Sequence, residues 1–336
     1  MAFDQHGRAI DYLRLSVTDR CNLRCLYCMP EEGVSPKPHD SILTLEEITR
    51  FVQVAAEEGF KRIRLTGGEP LVRLGIEELV ANLHAIDGIE SIAMTTNGIL
   101  LPKMAHKLKA AGLSRVNISL DTLSPEQFRY ITRWGNIEEV FRGIDAALET
   151  GFKPVKVNAV VVRSLNQDLL AFARMSINRP LHVRFIEYMP VGDLLGSEGM
   201  GWTKEDTIPN EELIALINEQ AKACGLGALE AISKRSETPD GWGPARYYHF
   251  KGAQGTVGFI SALSRHFCGE CNRLRLTVDG ELLPCLFSDT SFGVKSALRQ
   301  KDTGEVRRIL HEALESKPDA HHYKVGTEHY MSQIGG

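Results

Sequence analysis

The sequence lacks an excess of basic residues: 39 Lys and Arg stand against 43 Asp and Glu, which gives the 336-residue chain a formal net charge of −4. Because nucleic acids and anionic membrane surfaces attract proteins with a basic surplus, neither is expected as a partner, although a small cationic pocket is compatible with this balance. The sequence also lacks a run of about eighteen apolar residues, which a transmembrane helix would need. Between Met1 and Asp11 it lacks the basic stretch followed by an apolar stretch that is typical of a signal peptide. We therefore expect no transmembrane helix, no signal peptide and a location in the cytoplasm.

A phosphate-binding loop of the form Gly-x4-Gly-Lys-Ser/Thr is missing as well, which argues against a conventional GTPase. Cysteine, by contrast, is plentiful. Six of the seven cysteines fall into two groups of three, and in a reducing compartment such groups are more often metal ligands than disulfides. Cys224 stands alone, and a small buried apolar residue is the default interpretation of it.

Strand-like and helix-like segments alternate through the first half of the chain. Leu13, Leu15 and Val17 alternate with polar residues, which is typical of a half-buried strand. Thr44 and Glu47 have the spacing of a capping box and predict a helix that ends near Gly59. Further strands are predicted at 62–65, 91–95, 115–120, 155–162 and 182–187, and further helices at 76–86, 104–111, 137–150 and 169–176. Because strict alternation implies right-handed crossovers and a parallel sheet, we predict an α/β fold, an incomplete (βα)6 parallel barrel.

The alternation ends near Pro190, where a glycine-rich loop begins. Helices are predicted at 211–224 and 305–315, and short strands are expected on both sides of the second cysteine group. We therefore divide the chain into a partial barrel at residues 1–190 and a smaller C-terminal α+β domain at residues 191–336.

Unusual polar residues follow the predicted strands at the points where they end. The first three strands are followed by Cys21–Cys28, Gly67–Pro70 and Thr95–Gly98; Ser119 and Asp121 end the fourth, Lys156 and Asn158 lie in the fifth, and Arg184–Met189 closes the sixth. The carboxyl ends of strands in a parallel barrel form its active site. All six strands are therefore expected to contribute to one site at the mouth of the barrel.

The first cysteine group is Cys21-x3-Cys25-x2-Cys28, three thiolates in one short loop. Three thiolates can hold three irons of a cubane cluster and leave the fourth iron open, whereas a structural zinc site needs a fourth donor, for which His39 is the nearest candidate. With the aromatic Tyr27 before the last cysteine, the spacing resembles that of the radical S-adenosylmethionine (SAM) superfamily. The resemblance implies that SAM chelates the open iron and is cleaved by one electron to a 5′-deoxyadenosyl radical.

The same resemblance implies which residues contact SAM. They are Gly68, Ser119 and Met189, together with the backbone of Tyr27. Glycine at position 68 permits a close approach of the cosubstrate, although an ordinary strand-to-helix turn would also explain it. Met189, taken alone, would more often be a core residue.

The second cysteine group is Cys268-x2-Cys271-x13-Cys285. From the residues alone, a zinc site completed by His266 or His249 stays open. The run Asn272-Arg273-Leu274-Arg275, the first cysteine group and the terminal Gly335-Gly336 together resemble the GTP 3′,8-cyclase family of molybdenum cofactor biosynthesis, over residues 12–336. The resemblance implies a second [4Fe-4S] cluster, whose open iron meets the purine of GTP.

The family resemblance also implies the substrate contacts. GTP would be bound by Arg14, Arg64, Thr95, Lys156, Arg273 and Arg275, and catalytic roles fall to Arg273, Arg275, Gly335 and Gly336. The triphosphate brings about four negative charges, so several cations should gather around it. Arg14 fits, because an arginine on the inner face of a barrel strand is costly unless it meets an anion. Arg184 is an added candidate, whereas Arg73 is equally compatible with a solvated surface.

The implied reaction begins with abstraction of the hydrogen at ribose C3′. The carbon radical then attacks C8 of guanine, and reduction gives (8S)-3′,8-cyclo-7,8-dihydroguanosine 5′-triphosphate. The implied partners are an electron donor such as flavodoxin or ferredoxin and, downstream, cyclic pyranopterin monophosphate synthase; a homodimer stays open. Two alternatives remain: a radical SAM peptide or sulfatase maturase with an auxiliary cluster, and a zinc-binding structural or regulatory module.

Overall fold

The structure of the chain is a computed structural model that describes residues 1–35, 37–189, 202–241, 243–321 and 331–334. The loop at 190–201, Trp242 and the terminal Gly335 and Gly336 therefore lie outside the described residues. Among the helices of the described part, none is both long and apolar enough to cross a membrane.

Strands and helices alternate as the sequence predicts up to residue 187, with ends shifted by a few residues. The strands are β1 (Ala2–Phe3), β2 (Ala9–Ile10), β3 (Tyr12–Ser16), β4 (Arg62–Thr66), β5 (Ser91–Thr96), β6 (Arg115–Ser119), β7 (Val155–Val161), β8 (Leu181–Glu187), β9 (Glu230–Ala231), β10 (Arg246–His249), β11 (Thr256–Ile260), β12 (Arg273–Leu276), β13 (Glu281–Leu283) and β14 (Phe292–Gly293). The α-helices are α1 (Leu45–Glu57), α2 (Ile76–His84), α3 (Leu101–Ala110), α4 (Pro125–Thr132), α5 (Ile137–Glu149), α6 (Leu169–Arg174), α7 (Asn210–Ala223), α8 (Lys295–Gln300), α9 (Thr303–Glu315) and α10 (Met331–Ile334).

The start of α1 shows how local sequence sets these elements. The Thr44 side chain accepts a hydrogen bond from the Glu47 amide at 3.2 Å, and Glu47 Oε2 accepts one from the Thr44 amide at 2.8 Å. This reciprocal pair is the predicted capping box, and it satisfies two amides that the first helical turn leaves without partners. The helix α4 was not predicted, although Ser124 caps it and Pro125 occupies its first turn.

Twelve strands form one sheet, in the order β14-β13-β12-β3-β4-β5-β6-β7-β8-β11-β10-β9. Strands β3 to β8 are parallel throughout, as predicted. From the second half of the chain, β12 pairs in parallel with β3 and β11 pairs in parallel with β8. The C-terminal strands therefore extend the barrel sheet at both of its edges. The division of the chain at residue 190 stays a prediction.

In the part of the chain that the structure describes, β10 near one end of the sheet and β12 near the other face each other. One cavity is lined by Tyr247 and Tyr248 of β10 on one side and by Phe267, Asn272 and Arg273 on the other, next to β12. A sheet whose ends face each other across a cavity is a curled, open barrel. The predicted incomplete parallel barrel is thereby confirmed, and its interior is where the side chains of the site lie.

Candidate active site

The strand register places the predicted basic residues side by side. Arg14 on β3 is the register partner of Arg64 on β4 and of Arg275 on β12. Residues that share a register position in parallel strands project to the same face of the sheet. Across the other half of the sheet, register pairs join Thr95 to Asn117, Asn117 to Lys156, and Asn158 to Arg184.

A cavity of about 270 Å³ lies inside the barrel between the two cysteine groups. Its lining includes most of the predicted site residues, namely Arg14, Tyr27, Arg64, Thr95, Ser119, Met189, Cys268, Cys271, Arg273, Arg275 and Cys285. The structure thus brings together predicted site residues from both ends of the chain, from Arg14 to Cys285. Lys156, Gly68 and the first cysteine group are not part of this lining.

A chain of polar contacts holds the cations on the cavity wall. The Arg64 guanidinium donates through Nε to Tyr12 Oη and through Nη1 to Thr95 Oγ1 at 3.2 Å. On β8, Arg184 donates through Nε and Nη2 to Asn158 Oδ1, at 2.9 and 2.6 Å. With its amide oxygen facing these two arginines, Asn117 accepts from both and links them. The guanidinium groups are therefore held in fixed positions before any ligand arrives.

The electrostatics of the cavity favour an anionic ligand. Burial, followed by the charge of Arg275, holds the pKa of Arg14 well below its ordinary value. Burial and Arg273 lower the pKa of Arg275 to about 10. Burial would raise the pKa of Tyr12, but Arg64 and Arg14 bring it down to about 8. Gathering buried cations costs free energy that a bound polyanion offsets, so the wall is suited to a polyphosphate.

Lys156 lies near this wall but is covered. Its Nζ donates to the backbone oxygen of Asp240 at 2.6 Å and stands 5.8 Å from the centre of the Tyr247 ring. Burial and the charges of Arg184 and Arg115 lower the pKa of Lys156 to about 6. The amino group that the sequence assigns to GTP therefore donates to a backbone carbonyl in this structure, and its lowered pKa favours the uncharged form until an anion binds nearby.

The first cysteine group lies in the loop after β3. The Cys28 amide donates to Cys25 O at 2.9 Å, so the loop makes a tight turn that gathers the thiols. Burial raises the pKa of Cys21 to about 11, and burial with the neighbouring Cys21 raises that of Cys28 to about 12. Burial and the neighbouring Cys28 likewise raise the pKa of Cys25 well above its ordinary value. Three crowded thiols that resist ionisation suit a cationic iron–sulfur centre, which would stabilise their thiolates.

The backbone of Gly67 and Gly68 packs against the residues that lead into this loop. A Cβ atom on Gly67 would stand 2.3 Å from Thr18 O, and one on Gly68 would stand 2.3 Å from Arg20 O. The Gly68 amide donates to Thr18 O at 2.8 Å. Glycine is therefore required here to let two backbones touch, which fixes the first cysteine loop against the end of β4.

Glu69, the next residue, joins this loop to the end of β5. Its buried carboxylate accepts from Thr96 Oγ1 and from the Asn97 amide, both at 2.7 Å. Burial raises the pKa of Glu69 to about 7. The carboxylate therefore has a positioning function, because it ties the Gly-Gly turn to the neighbouring strand end.

Tyr27 is oriented by the end of β6. Its Oη donates to Asp121 Oδ2 at 2.6 Å, while Asp121 Oδ1 accepts from the Val160 amide at 2.8 Å. The Tyr27 ring is stacked on Trp202, with centroids 6.4 Å apart. These contacts hold the backbone of the cysteine loop beside Ser119, where the sequence predicts that SAM binds.

The second cysteine group surrounds a buried lysine that sequence reasoning missed. Lys317 is 3% exposed, and its Nζ donates to Arg273 O at 2.8 Å and to Pro284 O at 2.7 Å. Burial would raise the pKa of Cys271, but Lys317 and Arg273 lower it below its ordinary value. The ammonium therefore joins the two segments that carry Cys271 and Cys285 and stabilises a thiolate between them.

The short helix α10 reaches both cysteine groups. The Ile334 carbonyl accepts from Arg275 Nη1 at 3.2 Å, which places the end of α10 against the arginines of the cavity wall. Ser332 lies at Cys28, where its polar groups oppose the rise in the pKa of that thiol. Ile334 also packs with Met189 and Leu283. The last described residues of the chain are therefore docked on the site.

The structure does not complete the zinc sites considered from sequence in its described part. Among the described residues, no three His, Cys, Asp or Glu side chains come close enough together to hold a single metal ion. His266, proposed as a zinc ligand, packs edge-on against His321 instead, with ring centroids 5.2 Å apart.

Two residues considered from sequence lie away from the cavity. Cys224 is exposed, so the expectation of a buried apolar residue is wrong; it follows the last turn of α7, where the helix ends at the surface. Arg73 donates to Leu43 O at 2.9 Å and does not line the cavity between the cysteine groups. Tyr12 and Asn117 do line it, although sequence reasoning did not select them as site residues. The one signal for Asn117 was its place on the polar side of β6.

Two family models match the chain. The model of the radical SAM superfamily matches residues 15–175, and the model described as Molybdenum Cofactor Synthesis C matches residues 181–323. The first match contains the Cys21–Cys28 loop and the second contains Cys268–Cys285. The two cysteine groups therefore fall within two separate family matches.

Curated relatives match over the whole length. A GTP 3′,8-cyclase from Pelotomaculum thermopropionicum is 50% identical over 337 residues, and one from Heliobacterium modesticaldum is 49% identical over 339 residues; each alignment covers 99% of this chain and 99% of the relative. Among solved structures, Streptococcus suis SuiB bound to S-adenosylmethionine has a TM-score of 0.57 at 17% identity, covering 90% of this chain and 69% of that chain. At that identity the likeness concerns the fold alone.

Proposed function

The chain belongs to the GTP 3′,8-cyclase family, and from the geometry of its site we propose the role of each group of residues in that reaction. It is a radical SAM enzyme, a lyase that cyclises GTP to (8S)-3′,8-cyclo-7,8-dihydroguanosine 5′-triphosphate in the first step of molybdenum cofactor biosynthesis. Its cofactors are SAM and [4Fe-4S] clusters. Neither a peptide or sulfatase maturase nor a zinc-binding module is favoured by these relatives.

The two cysteine groups have separate tasks in this proposal. Cys21, Cys25 and Cys28 hold the cluster that binds SAM, and Cys268, Cys271 and Cys285 hold the cluster that meets GTP. When bound, the first cluster supplies the electron that cleaves SAM, and the second supplies an open iron to the purine. The donor sets fit, since each group supplies three free cysteines, which suffice for three irons of a cubane and leave the fourth iron open.

The remaining residues bind and orient the two small molecules. The residues that contact SAM in this proposal are Tyr27, Ser119 and Met189, which line the cavity, and Gly68, which packs against the residues leading into the first cysteine loop. In this proposal GTP is contacted by Arg14, Arg64, Thr95, Lys156, Arg273 and Arg275. Asn117 and Arg184 belong to the same hydrogen-bonded group of side chains and are further contacts. One observation carries the proposal: a single cavity is lined by Tyr27, Ser119 and Met189, by the three cysteines of the second group, and by the guanidinium groups of Arg14, Arg64, Arg273 and Arg275.

Positioning is the main contribution of the protein to the rate. The hydrogen at ribose C3′ must face the 5′ carbon of the adenosyl group, and C8 of guanine must lie within reach of C3′. The prearranged guanidinium groups hold the triphosphate, and the docked helix α10 helps to exclude water from the cavity. Gly335 and Gly336 follow Ile334 directly, and we assign them, with Arg273 and Arg275, to the catalytic machinery.

The experiment that tests the function is anaerobic reconstitution followed by incubation with GTP, SAM and a reductant. About eight irons with labile sulfide and formation of the cyclic nucleotide are expected. Two zinc ions per chain and no product would instead identify a structural module. We further propose that a flavodoxin or ferredoxin donates the electrons and that cyclic pyranopterin monophosphate synthase is the next enzyme. A homodimer and a cytoplasmic location are also part of the proposal.

Replacing Arg273 by Ala is expected to weaken GTP binding at least about tenfold and to leave SAM affinity nearly unchanged, because charge-assisted bonds to phosphate are among the strong ones. The Arg273 guanidinium lies 4.8 Å from the centre of the Phe267 ring on the cavity wall. Equilibrium binding of each ligand to the reconstituted protein measures the effect. Arg179→Ala is the control, since Arg179 is exposed and paired with Asp145. Equal weakening of both ligands would indicate a folding defect and contradict the assignment.

A further inference from the structure

The segment Thr238–Gly241 covers two cations near the beginnings of β6 and β7. The Asp240 carboxylate lies 3.1 Å from Arg115 Nη1, and the Asp240 carbonyl accepts from Lys156 Nζ at 2.6 Å. A Cβ atom on Gly241 would stand 2.7 Å from Lys156 Nζ and 3.9 Å from Arg115 Nη1. Both cations therefore meet the same two residues of the chain.

Arg115, which also donates to Ser91 Oγ at 3.1 Å, differs sharply in burial from Asp240. The Arg115 side chain is 2% exposed, whereas the Asp240 side chain that pairs with it is 78% exposed. Arg64, Arg115 and Arg184 all act on Lys156 as like charges, and Asp240 is the carboxylate that opposes them. An exposed carboxylate is a weak partner for a buried guanidinium, because water competes for it. A polyphosphate, which carries several charges and many acceptor oxygens, is a stronger one.

The two covered residues, Arg115 and Lys156, extend the group of basic side chains on the cavity wall. Arg64 lines the cavity and also acts electrostatically on both Arg115 and Lys156. A triphosphate that extends along Arg64 would bring its distal phosphates toward this pair. Lys156 is assigned to GTP by the family resemblance, yet it can meet a phosphate only if the Asp240 carbonyl gives up its hydrogen bond.

We propose that Arg115 is a further phosphate-binding residue, and that the carboxylate and carbonyl of Asp240 occupy the place of the distal phosphates of GTP until the nucleotide displaces them. The inference rests on the proposed function and deepens it, because it names residues that recognise the triphosphate of GTP. Binding of GTP moves Thr238–Gly241 off Lys156 and Arg115. A monophosphate is too short to reach the pair, so it leaves the segment in place.

The test compares GTP with GMP in equilibrium binding to the anaerobically reconstituted protein. Asp240→Asn removes a competing charge at an exposed position, so GTP should bind roughly two- to fivefold more tightly, in keeping with the small strength of exposed ion pairs. The affinity for GMP should not change. Asp145→Asn, which removes an exposed carboxylate paired with Arg179, is the matched control and should alter neither affinity.

A second pair of variants links the effect to Arg115. Arg115→Gln should weaken GTP binding at least about tenfold with little effect on GMP. In the double variant, Asp240→Asn should no longer tighten GTP binding, because its effect acts through Arg115. If the Arg115→Gln variant does not fold, the GTP and GMP titrations of Asp240→Asn alone test the inference.

Unchanged or weaker GTP binding by Asp240→Asn would overturn the inference, as would equal tightening for GMP. Failure of the wild-type protein to bind GTP would instead overturn the proposed function. The two failures are therefore distinguishable in one set of titrations.

Discussion

Replacing Cys25 by Ser is expected to abolish reductive cleavage of SAM, whereas replacing Cys271 by Ser is expected to abolish GTP cyclisation and leave some uncoupled 5′-deoxyadenosine. The two cysteines belong to different groups: the second group lines the cavity, and the first lies in the loop that contributes Tyr27 to its lining. Without a complete first group the electron that cleaves SAM is not delivered, so no radical forms. Without a complete second group the radical can form, but GTP is no longer held in register with it.

The measurement is 5′-deoxyadenosine and cyclic nucleotide from the same anaerobic incubation, with iron content determined for each preparation. Cys224→Ser is the matched control, because Cys224 is exposed and belongs to neither group. It should retain wild-type iron and both products. Normal cyclisation by the Cys271 variant would contradict the assignment of the second group to GTP.

Deleting Gly335 and Gly336 is expected to lower cyclic product by orders of magnitude while both clusters and SAM binding stay intact. The structure supports this prediction up to the residue before the two glycines. The Ile334 carbonyl accepts from Arg275 Nη1 at 3.2 Å, and Ser332 lies at Cys28, so the last described residues before the two glycines are docked on the site. Residues without side chains can enter a crowded pocket, where their backbone groups can help to hold C3′ in register.

The same preparation of the truncated protein should be assayed for iron, uncoupled 5′-deoxyadenosine and cyclic product. Gly335→Ala should reproduce the loss of product. Gly227→Ala is the control substitution, because a Cβ at Gly227 meets no atom within 4 Å. Full product formation by the truncated protein would mean that the tail is an ordinary chain end.

Local patterns in the sequence were sufficient for the barrel and for the cysteine groups. The alternation of Leu13, Leu15 and Val17 predicts a strand because side chains of a strand point alternately to its two faces. The capping box at Thr44 predicts the start of α1 because its two hydrogen bonds lie within one turn. The two cysteine groups are likewise defined within short loops, so no tertiary information was needed to find them.

Contacts between distant segments could not be predicted in this way. Lys317 lies 46 positions after Cys271 in sequence (317 − 271 = 46), in a stretch without a motif, and only the folded chain brings its ammonium to the second cysteine group. The covering of Lys156 by Asp240 likewise joins residues 84 positions apart. The C-terminal strands β11 and β12 extend the two edges of the barrel sheet through long-range pairing. These short segments carry no local sequence signal that predicts which strand they pair with.

The central claim is that one cavity holds GTP so that its ribose C3′ faces the radical formed at the first cysteine group. The most direct measurement uses GTP labelled with deuterium at C3′, together with SAM and a reductant, and the anaerobically reconstituted protein. Deuterium should appear in 5′-deoxyadenosine, in step with the formation of the 3′,8-cyclised nucleotide. Cyclic product accompanied by unlabelled 5′-deoxyadenosine, or labelled GTP recovered unchanged while SAM is consumed, would contradict the account.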